Sequence, residues 1–189
     1  DWALDTFRQH YQDAGISKWD IFHYVYGLLH SEQYRKTYAA NLKRQLPHIP
    51  NAPDFWAFSR AGKQLAELHT DYEQQPEFPL TRIYAPDQPH DWKVKKMRLN
   101  KDKTAILYNN WLTLSGIPPD VFAYRLGNRS ALEWIIEQYQ VKTDARSGII
   151  NDPNDDENPQ AIIKLIGQVI QVSRETVKII QTLPVLVPE

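Results

Sequence analysis

From Ser17 onward the apolar residues fall at helical spacing. Ile21, Phe22, Val25, Leu28 and Leu29 form one stripe behind a capping-box-like start at Ser17 and Asp20. Ser31 can cap a second helix, in which Tyr34, Tyr38, Leu42 and Leu46 recur every fourth residue until Pro47 and Pro50 stop it. A third helix carries Phe55, Phe58, Leu65, Leu68 and Tyr72 on one face. Gly62 lies on that same stripe, where the missing side chain permits close approach of a neighbouring element. The opening stretch DWALDTFRQHYQDAG also reads as helix.

Between Glu77 and Ser115 the period changes. Short β-prone runs (TRIY, WKVKKMRL, TAILY and WLTL) are separated by Pro, Asp and Asn. In the second run Trp92 and Val94 share a parity that Met97 and Leu99 do not, so a strand here has either a bulge near Lys95 and Lys96 or apolar residues on both faces in turn. Helix is expected again after Pro118-Pro119 and is broken at Gly127-Asn128. Ser130 and Glu133 form a capping box ahead of Leu132, Ile135, Ile136 and Tyr139. Asn158-Pro159 is expected to open the last helix, carried on by Ile162, Leu165, Ile166, Val169, Ile170, Val177 and Ile180. The pattern predicts an α+β fold, mostly helical, with a small antiparallel sheet in the middle of the chain. It is read as one domain over residues 1–189, with a helical part (1–75), a β-rich basic part (76–129) and a helical framework part (130–189).

Composition narrows the function classes. At 189 residues, 42% hydrophobic and 12% aromatic, the chain has ample material for one core. No apolar run approaches the roughly 20 residues of a membrane span. The absence of cysteine removes disulfides and thiolate metal sites and suits a cytoplasmic location. The chain starts at Asp1 and its only Met is Met97, so a piece of a longer protein is expected.

Catalytic signatures are missing. Gly62-Lys63 lacks the upstream glycine of a phosphate-binding loop, and neither HExxH nor G-x-S-x-G occurs. His23 and His30 lie two turns apart with no third ligand. The acidic stretch NDPNDDEN (Asn151–Asn158) lacks the spaced oxygens, central Gly and terminal Glu of a calcium loop. NDPN also lacks the second proline and the aromatic of an adenine-methyltransferase tetrad. Neither catalysis nor a bound metal or cofactor is expected of these residues.

One charge cluster departs from the near-neutral net of -1. WKVKKMRLNKDK holds Lys93, Lys95, Lys96, Arg98, Lys101 and Lys103 against Asp102 alone, a local net of +5. Such density suits phosphate contacts, and a two-stranded ribbon can enter the major groove of DNA. The bland alternative is a solvated edge strand whose lysines discourage edge pairing. A weaker basic set is Arg35, Lys36, Lys43 and Arg44 on the helix after Ser31.

Three ordered stretches carry a resemblance: YGLLHSEQYRKTYAANLKRQLPHIP (Tyr26–Pro50), FWAFSRAGKQLAELHTDYE (Phe55–Glu73) and SALEWIIEQYQVKTDARSGIINDPND (Ser130–Asp155). Together they resemble the C-terminal specificity domain of type ISP restriction-modification enzymes, single-polypeptide relatives of Type I systems often labelled helicases. The resemblance implies a target recognition domain that grips double-stranded DNA beside upstream methyltransferase and helicase/nuclease domains of the same chain. S-adenosylmethionine, ATP and Mg2+ would bind in those domains and not in this one. No catalytic residue of the family falls in the matching stretches. The loop around Gly148 and Pro153, braced by Asp152 and Asn154, belongs to the framework shared in the resemblance, and Arg146 within it can reach a phosphate.

Base readout is expected instead from about Glu77 to Arg129. Arg or Lys pairs with guanine and Asn or Gln with adenine, which makes Arg98, Asn100, Asn109, Asn110 and Arg125 the candidates. Turn formation competes for Asn109-Asn110. The alternative function is a structural coupling domain that contacts neighbouring enzyme domains with little direct DNA reading.

Overall fold

The structure, a computed structural model, describes residues 2–44 and 46–186. The chain divides into two compact units, one of residues 1–71 and 178–189 and one of residues 72–177. The β-rich part and most of the framework part that follows it therefore fall together in the second unit.

The first unit is helical: α1 (Trp2–Tyr11), α2 (Lys18–His30), α3 (Glu32–Thr37) and α4 (Phe55–Thr70). Ser17 and Asp20 form the full capping box at the start of α2. The two glycines of the unit's stripes meet where α2 crosses α4. A Cβ on Gly62 would lie 1.7 Å from the His23 carbonyl oxygen, and one on Gly27 would lie 2.4 Å from that of Phe58. The close approach expected at Gly62 is therefore backbone against backbone. Around it Ile16, Tyr24, Leu28, Tyr34, Ala52, Phe55 and Phe58 form the core. The buried Tyr24 hydroxyl is satisfied twice, donating to the Pro50 carbonyl at 2.6 Å and accepting from the Ala52 amide at 2.7 Å.

The helix expected to run from Ser31 to Leu46 stops at Thr37, and Tyr38–Arg44 form turns. Tyr34 donates its hydroxyl to the His48 carbonyl at 2.7 Å. Fourteen residues of helix would put the two about 21 Å apart, beyond a side chain's reach, so the chain must fold back. Lys43 and Arg44 thus leave the helix that carries Arg35 and Lys36, and Leu46 is 91% exposed.

The second unit is built on an antiparallel sheet of order β1-β4-β3-β2, with β1 Thr81–Tyr84, β2 Arg98–Leu99, β3 Ala105–Leu107 and β4 Leu112–Ser115. The register pairs Arg82 with Leu114, Ile106 with Leu114 and Arg98 with Leu107. Ile106, Leu112 and Leu114 face inward against Leu132 and Ile136 of α5 (Ala131–Gln138) and Ile162, Ile163, Ile166 and Ile170 of α6 (Ala161–Gln181). Residues from both sides of position 129 thus share one core.

Two small ribbons complete the unit: β5 (Arg125–Leu126) with β6 (Arg129–Ser130), and β7 (Lys142–Thr143) with β8 (Ile150–Asn151). The helix expected after Pro118-Pro119 is a single 3-10 turn, Pro119–Ala123. Tyr124 is buried beside Ala131, Leu165 and Val169, and its carbonyl accepts the Ala131 amide at 3.2 Å, so the chain goes extended there. Gly127, at φ +70, then turns a hairpin rather than breaking a helix. α6 begins two residues beyond Pro159, after a turn closed by the Ala161 amide on the Asn158 carbonyl. Among the described residues no helix is long and apolar enough to cross a membrane.

Candidate nucleic-acid interface

Of the run WKVKKMRL only Arg98 and Leu99 are strand, and β2 lies at the edge of the sheet. Residues 92–97 have no regular secondary structure and bend at Lys95. The bend disposes of the parity conflict, because Val94 and Met97 both enter the same core, at 0% and 1% exposure.

Without a strand partner the backbone of this segment still needs hydrogen bonds. Side chains from elsewhere supply most of them. Asn109 donates to the Asp91 and Lys93 carbonyls at 2.9 and 3.0 Å, and the Tyr108 hydroxyl to that of Trp92 at 3.0 Å. Asn154 grips Val94 from both sides: its Oδ1 accepts the Val94 amide at 2.8 Å and its Nδ2 donates to the Val94 carbonyl at 2.9 Å. The Val141 amide donates to the Lys95 carbonyl at 3.1 Å, and Gln140 to that of Met97 at 3.0 Å. The loop that carries NDPN is therefore a brace. Asp152 orients Asn154 by accepting its amide at 2.9 Å, and Asn154 holds the basic segment. Those bonds also keep the Asp152 carboxyl below the usual carboxylate range.

What this scaffold presents is charge. Lys93, Lys95 and Lys96 line a surface concavity of about 290 Å³ together with Asp91, Asn110 and Trp111. Lys93 pairs with Asp156 at 2.7 Å, and that hydrogen bond raises its pKa. Lys103 turns away to Glu133 at 2.8 Å and lies over the Phe122 ring at 5.1 Å. Among the described residues Lys95, Lys96, Arg98 and Lys101 form no ion pair.

Glu133 is the acidic half of the α5 capping box, accepting the Ser130 amide at 2.9 Å. The Lys103 ammonium first, and that amide next, hold its carboxyl down to about 2 against an ordinary 4.5. Ionisation is thus favoured by folding, so its stabilisation is complete above pH 4.5 and is lost as pH falls from 4.5 towards 2. Glu133→Gln keeps a capping acceptor while removing the charge. The melting-temperature advantage of wild type over this variant should be constant above pH 4.5 and shrink below it. An equal advantage at pH 3 and pH 7 would contradict the pairing.

The amide candidates divide. Asn100 closes the β2–β3 turn, its Oδ1 accepting the Thr104 and Ala105 amides at 2.8 and 3.1 Å. Asn109 closes the β3–β4 turn, accepting from Trp111 and Leu112 at 2.9 and 2.7 Å. Both side chains are held in the framework, so turn formation accounts for Asn109. Asn110 is exposed at the rim of the concavity. Arg125 donates to the Asn128 carbonyl within its own hairpin, and Arg146 is exposed at the tip of the β7–β8 ribbon.

The family model of the Type ISP C-terminal specificity domain matches residues 1–165. The chain belongs to this family. No curated protein matches it. Among solved structures, the specificity domain is similar to part of a nuclease-deletion mutant of the Type ISP restriction-modification enzyme LlaGI in complex with a DNA substrate mimic. There the identity is 42% over 92% of this chain and 17% of that one, with a TM-score of 0.82. It is similar to the ATP-dependent Type ISP enzyme LlaBIII bound to DNA, at 39% identity over 93% of this chain and 12% of that one, TM-score 0.83. A DrdV–DNA complex matches at 36% identity over 100% of this chain and 20% of that one, TM-score 0.87. The specificity domain thus spans a fifth or less of each of these chains.

Sequence reasoning missed two contributors to the site. Arg82 donates to Gln160 at 2.8 Å with its guanidinium 5.9 Å from the Trp92 ring, and Gln140 supports Met97. Neither has a local signal, since the hydrogen-bond partners Gln160 and Met97 are 78 and 43 residues away. Among the described residues no group of His, Asp and Glu could hold a metal ion.

Proposed function

We propose that this specificity domain recognises the target site of a longer type ISP restriction-modification enzyme. In this reading its second unit faces double-stranded DNA and positions the adenine methyltransferase and the ATP-driven translocase/nuclease of the parent chain. The chemistry belongs to those other domains, which would bind S-adenosylmethionine, ATP and Mg2+. The observation that carries the reading is the basic segment. Six carbonyls between Asp91 and Met97 are held by framework donors, while Lys95, Lys96 and Arg98 are exposed and form no ion pair among the described residues. A fixed backbone lowers the entropy lost when these cations meet phosphate. Phosphate contacts set register, and Arg98, Asn110 and Arg125 are the groups left for base edges.

A second reading applies to the first unit. Trp19 and Phe22 on α2 are 69% and 50% exposed, which favours coupling of that unit to neighbouring domains of the parent.

The test is a chimera in the parent enzyme. Because residues 77–129 share a core with α5 and α6, the segment to exchange is 72–177 as a whole. Exchange with a relative of different specificity should transfer the relative's methylation motif, read by sequencing methylated host DNA. A folded, active chimera that still modifies the original site would place base readout outside the second unit.

A further inference from the structure

The β7–β8 ribbon is an apolar anomaly. Every residue from Lys142 to Asp152 is exposed, with Ile149 and Ile150 at 69% and 65%. Neighbouring residues of an extended chain point to opposite sides, so neither face of the ribbon is covered within the domain. Burial therefore does not hold it, and an isolated two-stranded hairpin is only marginally stable.

Hydrogen bonds fix it at both ends. At the tip, Asp144 Oδ1 accepts the Arg146 and Ser147 amides at 3.0 and 2.7 Å and the Ser147 hydroxyl at 2.9 Å. The Gly148 amide, at a φ of +71 that favours glycine, donates to the Asp144 carbonyl at 2.9 Å. At the base, the Val141 amide is bonded to Lys95 and Asn154 to Val94. The ribbon and the basic segment thus hang on the same two residues, so a duplex seated on Lys95 and Lys96 is met by the ribbon as well. Val141 to Asp144, where the turn begins, reaches up to about 10 Å at strand spacing. The major groove is about 12 Å wide and 8.5 Å deep and admits a two-stranded ribbon. The ribbon's exposed charges are Lys142 and Arg146 with Asp144 between them, whose carboxylate the turn hydrogen bonds keep ionised.

We propose that the β7–β8 ribbon enters the major groove of the target duplex, with one of the adjacent Ile149 and Ile150 against base edges and thymine methyl groups, the other towards the groove wall, and Arg146 on a flanking phosphate. This rests on the reading that the second unit binds DNA. DNA is preferred over a neighbouring protein domain because the ribbon's base is shared with the lysine segment.

The experiment uses the full-length parent enzyme with Ala145→Cys, an exposed tip position, carrying an iron chelate that cleaves nearby DNA through hydroxyl radicals. Unsubstituted enzyme treated identically is the control. Cuts confined to the target site, absent from the control, are expected. Ile149→Ala with Ile150→Ala should weaken binding to the target roughly tenfold while leaving binding to unrelated DNA unchanged. Both isoleucines are exposed, so the variant keeps its fold. If the enzyme binds its target but the tip makes no cuts above control, or the double variant binds the target as wild type does, the ribbon packs on protein or solvent and this inference fails alone. If the parent enzyme forms no complex with DNA, the reading beneath it fails too.

Discussion

Gly62→Ala is expected to destabilise the first unit by about 3 kcal/mol or more, although alanine is the better helix former by about 1 kcal/mol. The added Cβ would lie 1.7 Å from the His23 carbonyl oxygen, 2.7 Å from that carbonyl carbon and 2.7 Å from the Gly27 nitrogen. All three are backbone atoms, which no rotamer change can move aside. Relief requires α2 and α4 to separate, and separation would loosen the packing of Tyr24, Leu28 and Phe58. Urea unfolding read by circular dichroism measures the effect, with the exposed Gln64→Ala on the same helix as a near-neutral control. A variant stabilised by about 1 kcal/mol would mean that the helices do not approach as described.

Lys95→Ala with Lys96→Ala should lower the affinity of the parent enzyme for DNA by about sixtyfold at 0.1 M salt, with the deficit vanishing towards 1 M. Each phosphate contact contributes about 0.9 to the slope of log affinity against log salt. Two lost contacts therefore remove about 1.8 from the slope, and the affinities converge where the logarithm of salt is zero. Target and unrelated DNA should weaken alike, since phosphate carries no base information. Lys103→Ala, by contrast, should leave the slope unchanged and act on stability, because its ammonium lies at 2.8 Å from Glu133. Filter binding over a salt series separates the two. An unchanged slope in the Lys95/Lys96 double variant would reduce the cluster to a solvated edge.

The elements that sequence could place are those whose partners are close along the chain. The capping boxes at Ser17/Asp20 and Ser130/Glu133 join residues three apart, and both form as read. The run TRIY is β1 residue for residue, and the alternation of β4, with Leu112 and Leu114 buried, follows from a period of two against a single core face. Gly62 could be read as a contact point because its stripe left only one surface for a neighbour.

Where sequence misled, a distant partner overruled a local pattern. The four-residue recurrence of Tyr34, Tyr38, Leu42 and Leu46 is a sound helical signal. It yields because the Tyr34 hydroxyl is held at His48. The β-prone residues 92–97 leave the ladder because Asn109, Tyr108, Asn154 and Gln140 satisfy their carbonyls instead.

By itself, then, the sequence determined the α+β class, the helix starts behind Ser17, Ser31 and Ser130, three of the four runs that became the main sheet and the location of the positive charge. All of these depend on propensity, period or neighbours within one helical turn. Only the tertiary structure decided which cations remain outward. Lys93 and Lys103 are met by Asp156 and Glu133, while Lys95, Lys96, Arg98 and Lys101 meet no carboxylate among the described residues. It also decided that Asn100 and Asn109 brace turns and that Asn154 clamps Val94, 60 residues away. A side-chain amide has the same donors and acceptors whether it faces a base or a backbone, and the closure of the chain alone selects between them.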